Sequence, residues 1–92
     1  MTASVFRQIS PNCVKIYLSS EVRSKINGNE VIVEEIDGLL MIREPIITDN
    51  RRLKINKTNN LVTYTSSTAT NYLGKWNVEI EGDYLVLDNE EK

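Results

Sequence analysis

The chain contains no histidine and only one cysteine, and these absences restrict its possible chemistry. Histidine is the most common general base and metal ligand, and a single cysteine cannot form a disulfide within the chain. The sequence has no cluster of cysteines that would indicate a metal site, and it has no glycine-rich loop before a predicted helix. Glu34 and Glu35 are adjacent in a predicted strand, so they should face opposite sides and cannot act together. We therefore expect no enzyme activity, cofactor, metal or small-molecule substrate.

Long apolar runs are also lacking, so we expect no membrane-spanning helix. The opening residues, MTASVFRQIS, have no apolar run behind a basic segment, so no signal peptide is expected. A single cysteine fits a reducing compartment, which favours a cytoplasmic location. With 92 residues, 40% of them hydrophobic and 26% charged, the composition predicts one small globular domain over residues 1–92.

Local patterns predict short strands with one helical interruption. Apolar and polar residues nearly alternate in SVFRQIS, CVKIYL, EVIVEEI and LLMIRE, which is typical of strands. Between the second and third of these, SSEVRSKI predicts a short helix, because Ser19 or Ser20 can cap it and Val22 and Ile26 share one face. Asp37–Gly38 predicts a two-residue hairpin turn.

A second copy of this unit follows the first at an offset of 47 residues. The identical pairs are Tyr17/Tyr64, Ser19/Ser66, Ser20/Ser67, Val31/Val78 and Glu34/Glu81. Val22/Ala69 and Ile26/Leu73 keep the apolar helix face, and the turn recurs as Gly82–Asp83. The pattern predicts repeat one over about 4–45 and repeat two over about 51–88, joined through EPIITDN. Chance similarity between two β-hairpins is the alternative.

Charge is distributed unevenly along the chain. Residues 1–60 carry nine basic and seven acidic residues, whereas residues 61–92 carry two and six. The basic residues of copy one are Arg7, Lys15, Arg23 and Lys25, and the matching positions of copy two are Lys54, Val62, Thr70 and Tyr72. A further basic group lies in NRRLKINK and comprises Arg51, Arg52, Lys54 and Lys57. Such residues neutralise phosphates if they converge, and ordinary solvated charge is the alternative.

One run resembles a known family. KIYLSSEVRSKINGNEVIVEEIDGLLMI resembles the AbrB-like swapped-hairpin family, which includes AbrB transition-state regulators, MazE-type antitoxins and MraZ. The matching positions are Leu18, Glu21, Val22, Arg23, Ile26, Gly28, Asn29, Val31 and Val33, and VFRQIS supplies Arg7. The chain departs from the family pattern at Ser19, where proline is usual, and at Cys13-Val14, where glycine is usual.

The resemblance implies an all-β fold with short helical turns, in the form of a small swapped-hairpin barrel built from two intrachain β-β-α-β-β repeats. It also implies a transcriptional regulator that binds double-stranded DNA. The predicted DNA-binding residues are Arg7, Lys15, Arg23, Lys25, Arg51, Arg52 and Lys54. The alternative function is a protein-binding module, an antitoxin or an inhibitor of a host factor, that uses an acidic face. A third possibility, an RNA-binding β-barrel, would require exposed aromatic residues on strands. Whether the chain forms a homodimer is left open.

Overall fold

The computed structural model describes residues 1–8 and 10–90, without the side chains of residues 89 and 90. Ile9, within the predicted first strand, lies outside the described residues, as do residues 91 and 92. The strands are β1 Thr2–Arg7, β2 Cys13–Leu18, β3 Glu30–Ile36, β4 Leu39–Arg43, β5 Leu53–Lys54, β6 Leu61–Thr65, β7 Gly74–Glu81 and β8 Tyr84–Glu90. Helix α1 spans Ser20–Ser24, and a 3₁₀ helix spans Ala69–Tyr72.

The strands form one antiparallel sheet in the order β5-β3-β4-β8-β7-β1-β2-β6. The two outer strands, β5 and β6, approach each other. Asn56, which follows β5, forms an antiparallel bridge with Leu61 at the start of β6. The Asn56 N–H donates to the Leu61 carbonyl at 2.9 Å. The sheet is therefore nearly closed into a barrel. This confirms the predicted mostly β fold with very little helix.

The core lies inside this barrel and consists of the inward half of each alternating strand. Val14, Ile16 and Leu18 of β2 are fully buried, and the same alternation recurs at Leu40 and Ile42 of β4. The remaining members of the cluster are Ala3, Val5, Val22, Ile26, Val31, Ile55, Val62, Ala69, Val78, Leu85 and Leu87. The described residues include no buried polar or charged side chain, so the interior is held by apolar packing.

The predicted helix and turn form for the reasons that the sequence indicated. Ser19 is the N-cap of α1, with extended backbone, and its Oγ accepts from the Val22 N–H at 3.4 Å. Val22 and Ile26 are both buried, as their spacing predicted. Asp37 and Gly38 have φ of 52° and 78°, the left-handed values of a type I′ hairpin turn.

The two helices lie at opposite ends of the barrel. β2 runs toward α1, whereas β6 is antiparallel to β2, with Tyr17 opposite Leu61, and runs toward the 3₁₀ helix. We name these openings the α1 end and the 3₁₀ end. The Gly82–Asp83 turn belongs to the α1 end, because it lines a concave surface there with Lys25. The Asp37–Gly38 turn belongs to the 3₁₀ end.

The 47-residue offset between the repeats fails along β2 and β6. Lys15 faces outward on β2, whereas its offset partner Val62 is fully buried. Tyr17 is exposed, whereas Tyr64 packs against the core. A slip of one residue reverses every side chain of a strand, so these positions do not match in space. The comparison of Lys15 with Val62 as equivalent sites was therefore wrong.

Candidate nucleic-acid interface

Arg23 is held in place at the α1 end by two side-chain hydrogen bonds. It is half-buried in the last turn of α1, where a cation is favoured by the partial negative charge of the helix terminus. Its Nη1 donates to the Ile26 carbonyl at 2.9 Å, and its Nη2 donates to Asn29 Oδ1 at 3.3 Å. These bonds hold the guanidinium against the loop that follows the helix.

Three exposed lysines also lie at the α1 end, one on a concave surface beside Arg43 and two on another beside Asn29. Lys25, Lys54 and Lys57 are exposed, and their side chains form no hydrogen bond or ion pair within the part of the chain that the structure describes. Lys54 and Lys57 line one concave surface together with Glu30 and with Asn29, the residue that Arg23 binds. The fold therefore brings Arg23, Lys54 and Lys57 around a common surface, although they are far apart in the sequence.

Arg51 and Arg52 lie in the segment that links the two halves of the chain. Arg52 Nη2 donates to the Ile46 carbonyl at 2.9 Å, and Arg52 Nη1 lies 3.7 Å from Glu30 Oε1. Much of the Arg52 charge is therefore already compensated. Arg51 is exposed and has no side-chain partner among the described residues. Of these two arginines, Arg51 has more charge to offer a ligand.

Arg43 anchors the linking segment, a role that sequence reasoning missed. Its Nη1 and Nη2 donate to Asp49 Oδ2 and Oδ1 at 2.7 and 3.0 Å, and its Nε donates to Glu34 Oε1 at 2.5 Å. The bonds from Arg43, and then the bond from the Ile46 N–H, lower the pKa of Asp49 to about 2. The bond to Asp49, and then the bond to Glu34, raise the pKa of Arg43 above its usual value. Two carboxylates occupy this guanidinium, so it is not available to a phosphate.

The predicted DNA-binding residues do not all share one surface. β1 begins at the α1 end and runs to Arg7, so the exposed Arg7 lies at the 3₁₀ end. Lys15 faces outward from the middle of β2, opposite Phe6. The α1 end holds the other predicted residues, namely Arg23, Lys25, Arg51, Arg52 and Lys54.

At the 3₁₀ end, several hydroxyl groups bind one carboxylate. Glu35 Oε2 accepts from Tyr64 Oη at 2.6 Å and from Ser66 Oγ at 2.7 Å, and Glu35 Oε1 accepts from Thr68 Oγ1. Burial acts to raise the pKa of Glu35, but the hydrogen bonds from Thr68, Tyr64, Ser66 and Tyr72 outweigh it and the pKa is lowered. Burial and then the bond to Glu35 raise the pKa of Tyr64 to about 12.

This cluster joins β3 to β6 and to the segment before the 3₁₀ helix, and its chemistry is structural. A carboxylate whose oxygens already accept several bonds is a poor proton acceptor for a substrate. Glu35 faces inward and Glu34 pairs with Arg43 on the outer side, as their adjacent positions predicted. Among residues 1–8 and 10–90, no group of three or more acidic, cysteine or histidine side chains could hold a metal ion.

Comparisons with protein-family models, curated proteins and solved structures give no match for this chain. They therefore assign the chain to no family. The helices in the described part of the chain are too short to cross a membrane.

Proposed function

We propose that this chain binds double-stranded DNA as a regulator of the AbrB-like type, with its α1 end on the phosphates. The observation that carries the proposal is the surface around Asn29, where Arg23 is fixed by hydrogen bonds and Lys54 and Lys57 are exposed and unpaired within the described chain. A fixed arginine can orient a phosphate, and the lysines add charge that releases counterions from the duplex.

The order of strands supports the swapped-hairpin part of this proposal. The β1–β2 hairpin lies between β7 and β6, and the β3–β4 hairpin lies between β5 and β8. Each hairpin of the first half is therefore flanked on both sides by strands of the second half. Two interleaved copies of one unit would produce this alternation, and that is the architecture of the family that the sequence resembles.

Acidic residues limit the strength of the expected interaction. Glu30 and Glu44 also lie at the α1 end, and Glu30 contacts Arg52. A mixed surface of this kind attracts a phosphate backbone less strongly than a purely basic one, and salt screens the attraction. We therefore expect weakly sequence-dependent binding that falls steeply as salt increases.

The proposal is tested by the salt dependence of binding to a random duplex, measured by fluorescence anisotropy. Each phosphate contact contributes about 0.9 to the slope of log affinity against log salt. Lys54→Ala combined with Lys57→Ala should lower the slope by about two, whereas the matched control Arg7→Ala, at the opposite end, should not change it. Wild-type protein that binds no duplex at low salt would contradict the proposal. Sedimentation of the free protein would report whether it pairs with a second copy.

A protein-binding module remains the second candidate, because β7 and its turn expose Glu79, Glu81 and Asp83. Such a row of carboxylates would suit a basic protein surface. The same titration separates the two candidates, since a module of this kind should leave duplex DNA unbound even at low salt.

A further inference from the structure

The outer face formed by residues 74–77 of β7 and by β1, β2 and β6 has an unusual composition for this acidic chain. Glu79 and Glu81 lie further along β7, beyond its pairing with β1. Val5, Ile16 and Val62 point inward, so the alternate residues of these paired strands point outward. Over the stretch where β7 pairs with β1, residues 74–77, and along the other three strands, the described outward residues include no carboxylate. They include Lys15 and Lys75, with uncharged side chains around them.

Two aromatic rings stand on this face. Phe6 and Tyr17 retain 42% and 43% of their exposure, so neither ring is part of the core. Phe6 is paired with Lys15, and Tyr17 is two residues further along the same strand as Lys15. The two rings are therefore diagonal neighbours across β1 and β2, a spacing that aromatic side chains can bridge. Lys15 stands directly beside them and is half-buried.

Exposed aromatic rings next to a cation on a sheet suit one ligand in particular. Unpaired bases have free π-faces, and they stack on aromatic side chains whatever their sequence, while lysine neutralises the phosphates between them. The bases of a duplex are already stacked on one another and cannot use the rings in this way. We propose that this face binds single-stranded nucleic acid, with bases stacked on Phe6 and Tyr17 and a phosphate on Lys15.

The charge of the face argues against the other possible occupants. A second copy of the chain would bring one lysine-bearing face against another, and like charges repel. A protein partner would have to present carboxylates together with apolar groups, whereas each nucleotide carries both an anion and a flat apolar surface. Phe6 and Lys15 lie along the side of the barrel, and Tyr17 lies where that side meets the α1 end. The inference rests on the two rings and Lys15, so it does not depend on the proposed duplex binding by Arg23, Lys54 and Lys57.

The test uses labelled oligothymidine and oligouridine of about ten nucleotides, within the usual range for one such site. Phe6→Leu and Tyr17→Leu keep an apolar side chain on the strand but remove the π-face. Each should weaken binding about 5- to 150-fold, the equivalent of one lost stacking contact. Ile47→Leu is the matched control, because Ile47 is an exposed apolar residue outside this face. It should bind as the wild type does.

The salt dependence of binding is a second measurement, and loss of folding would not produce the change in slope that is predicted here. Lys15→Ala should lower the slope of log affinity against log salt by about 0.7, the value for one phosphate of a single strand. In a chain that already carries Lys54→Ala and Lys57→Ala, each leucine substitution should weaken single-strand binding by the same factor as in the wild type, which separates stacking on this face from the charge of the α1 end. The proposal is overturned if folded wild-type protein binds neither strand at low salt, or if both leucine variants bind as the wild type does.

Discussion

Glu35 is the residue on which the 3₁₀ end of the barrel depends most. Glu35→Ala leaves the hydroxyl groups of Tyr64, Ser66 and Thr68 without their acceptor. We expect the free energy of unfolding to fall by about 1–3 kcal/mol, since half-buried polar groups lose their hydrogen bonds. Urea unfolding followed by circular dichroism measures this change. The exposed Glu79→Ala is the control, and its effect should stay within about 0.5 kcal/mol.

Glu35 should also make the stability of the fold depend on pH. The pKa of Glu35 is lowered in the folded state, so its ionised form stabilises the fold above the pKa of the unfolded chain. That contribution is lost as the pH falls through the folded-state pKa. The difference in stability between the wild type and Glu35→Ala should therefore shrink in acid. A difference that grows as the pH falls would show that the sign of this pKa shift is wrong.

For single residues, the sequence predicted which way a side chain points better than it predicted which residues that side chain contacts. That Glu34 and Glu35 face opposite sides follows from the two-residue period of a strand, which is a local property. The partners of Glu35 lie 29 to 33 positions away along the chain, and no local pattern reveals them. Phe6 is similar, because Val5 and Phe6 are adjacent apolar residues and only the packed barrel decides which of them is buried.

Among the secondary-structure elements, α1 depends on its cap. Ser19 Oγ accepts from the Val22 N–H and also from the Thr2 N–H, each at 3.4 Å, so it links the helix to β1. Ser19→Ala should lower the free energy of unfolding by about 1 kcal/mol, the usual cost of losing a cap. Thermal denaturation compares it with Ser20→Ala, at the exposed first residue of the helix. Equal melting temperatures for the two variants would exclude the capping role.

Elements with strong local signals were predicted well, and elements defined by tertiary pairing were not. The cap at Ser19 and the Asp37–Gly38 turn depend on a few adjacent residues, so the sequence indicates both. β5 has only Leu53 and Lys54, and it forms because β3 offers it an edge. The repeat offset failed in β2 and β6 because counting identities does not track which face a side chain occupies.

For the whole molecule, the strand order predicts that neither half folds alone. β1, β2 and β4 each pair with a strand of the second half, so residues 1–45 would expose their core face to water. A fragment of residues 1–45 should give a poorly dispersed NMR spectrum, and adding residues 46–92 should restore dispersion. A well-dispersed spectrum from the monomeric fragment alone would contradict this interlocked arrangement.

The sequence indicated which residues are basic, but not how they are distributed over the barrel. Arg7 and Arg23 both match the family pattern, yet the antiparallel course of β1 and β2 places them at opposite ends. Lys54 and Lys57 join Arg23 only because the β5–β6 connection lies beside the loop after α1. The location of a basic residue on the barrel depends on long-range strand pairing, and a count of charges along the sequence does not reveal that pairing.

Duplex DNA, as proposed above, binds the barrel at its α1 end. The most direct measurement is a titration of isotope-labelled protein with duplex DNA, followed by the backbone amide signals in NMR. We expect the signals that shift to cluster at residues 23–30 and 52–58, and the turn at residues 10–12 to stay unchanged. Shifts concentrated at the 3₁₀ end, or no shifts at low salt where electrostatic binding is strongest, would contradict the claim.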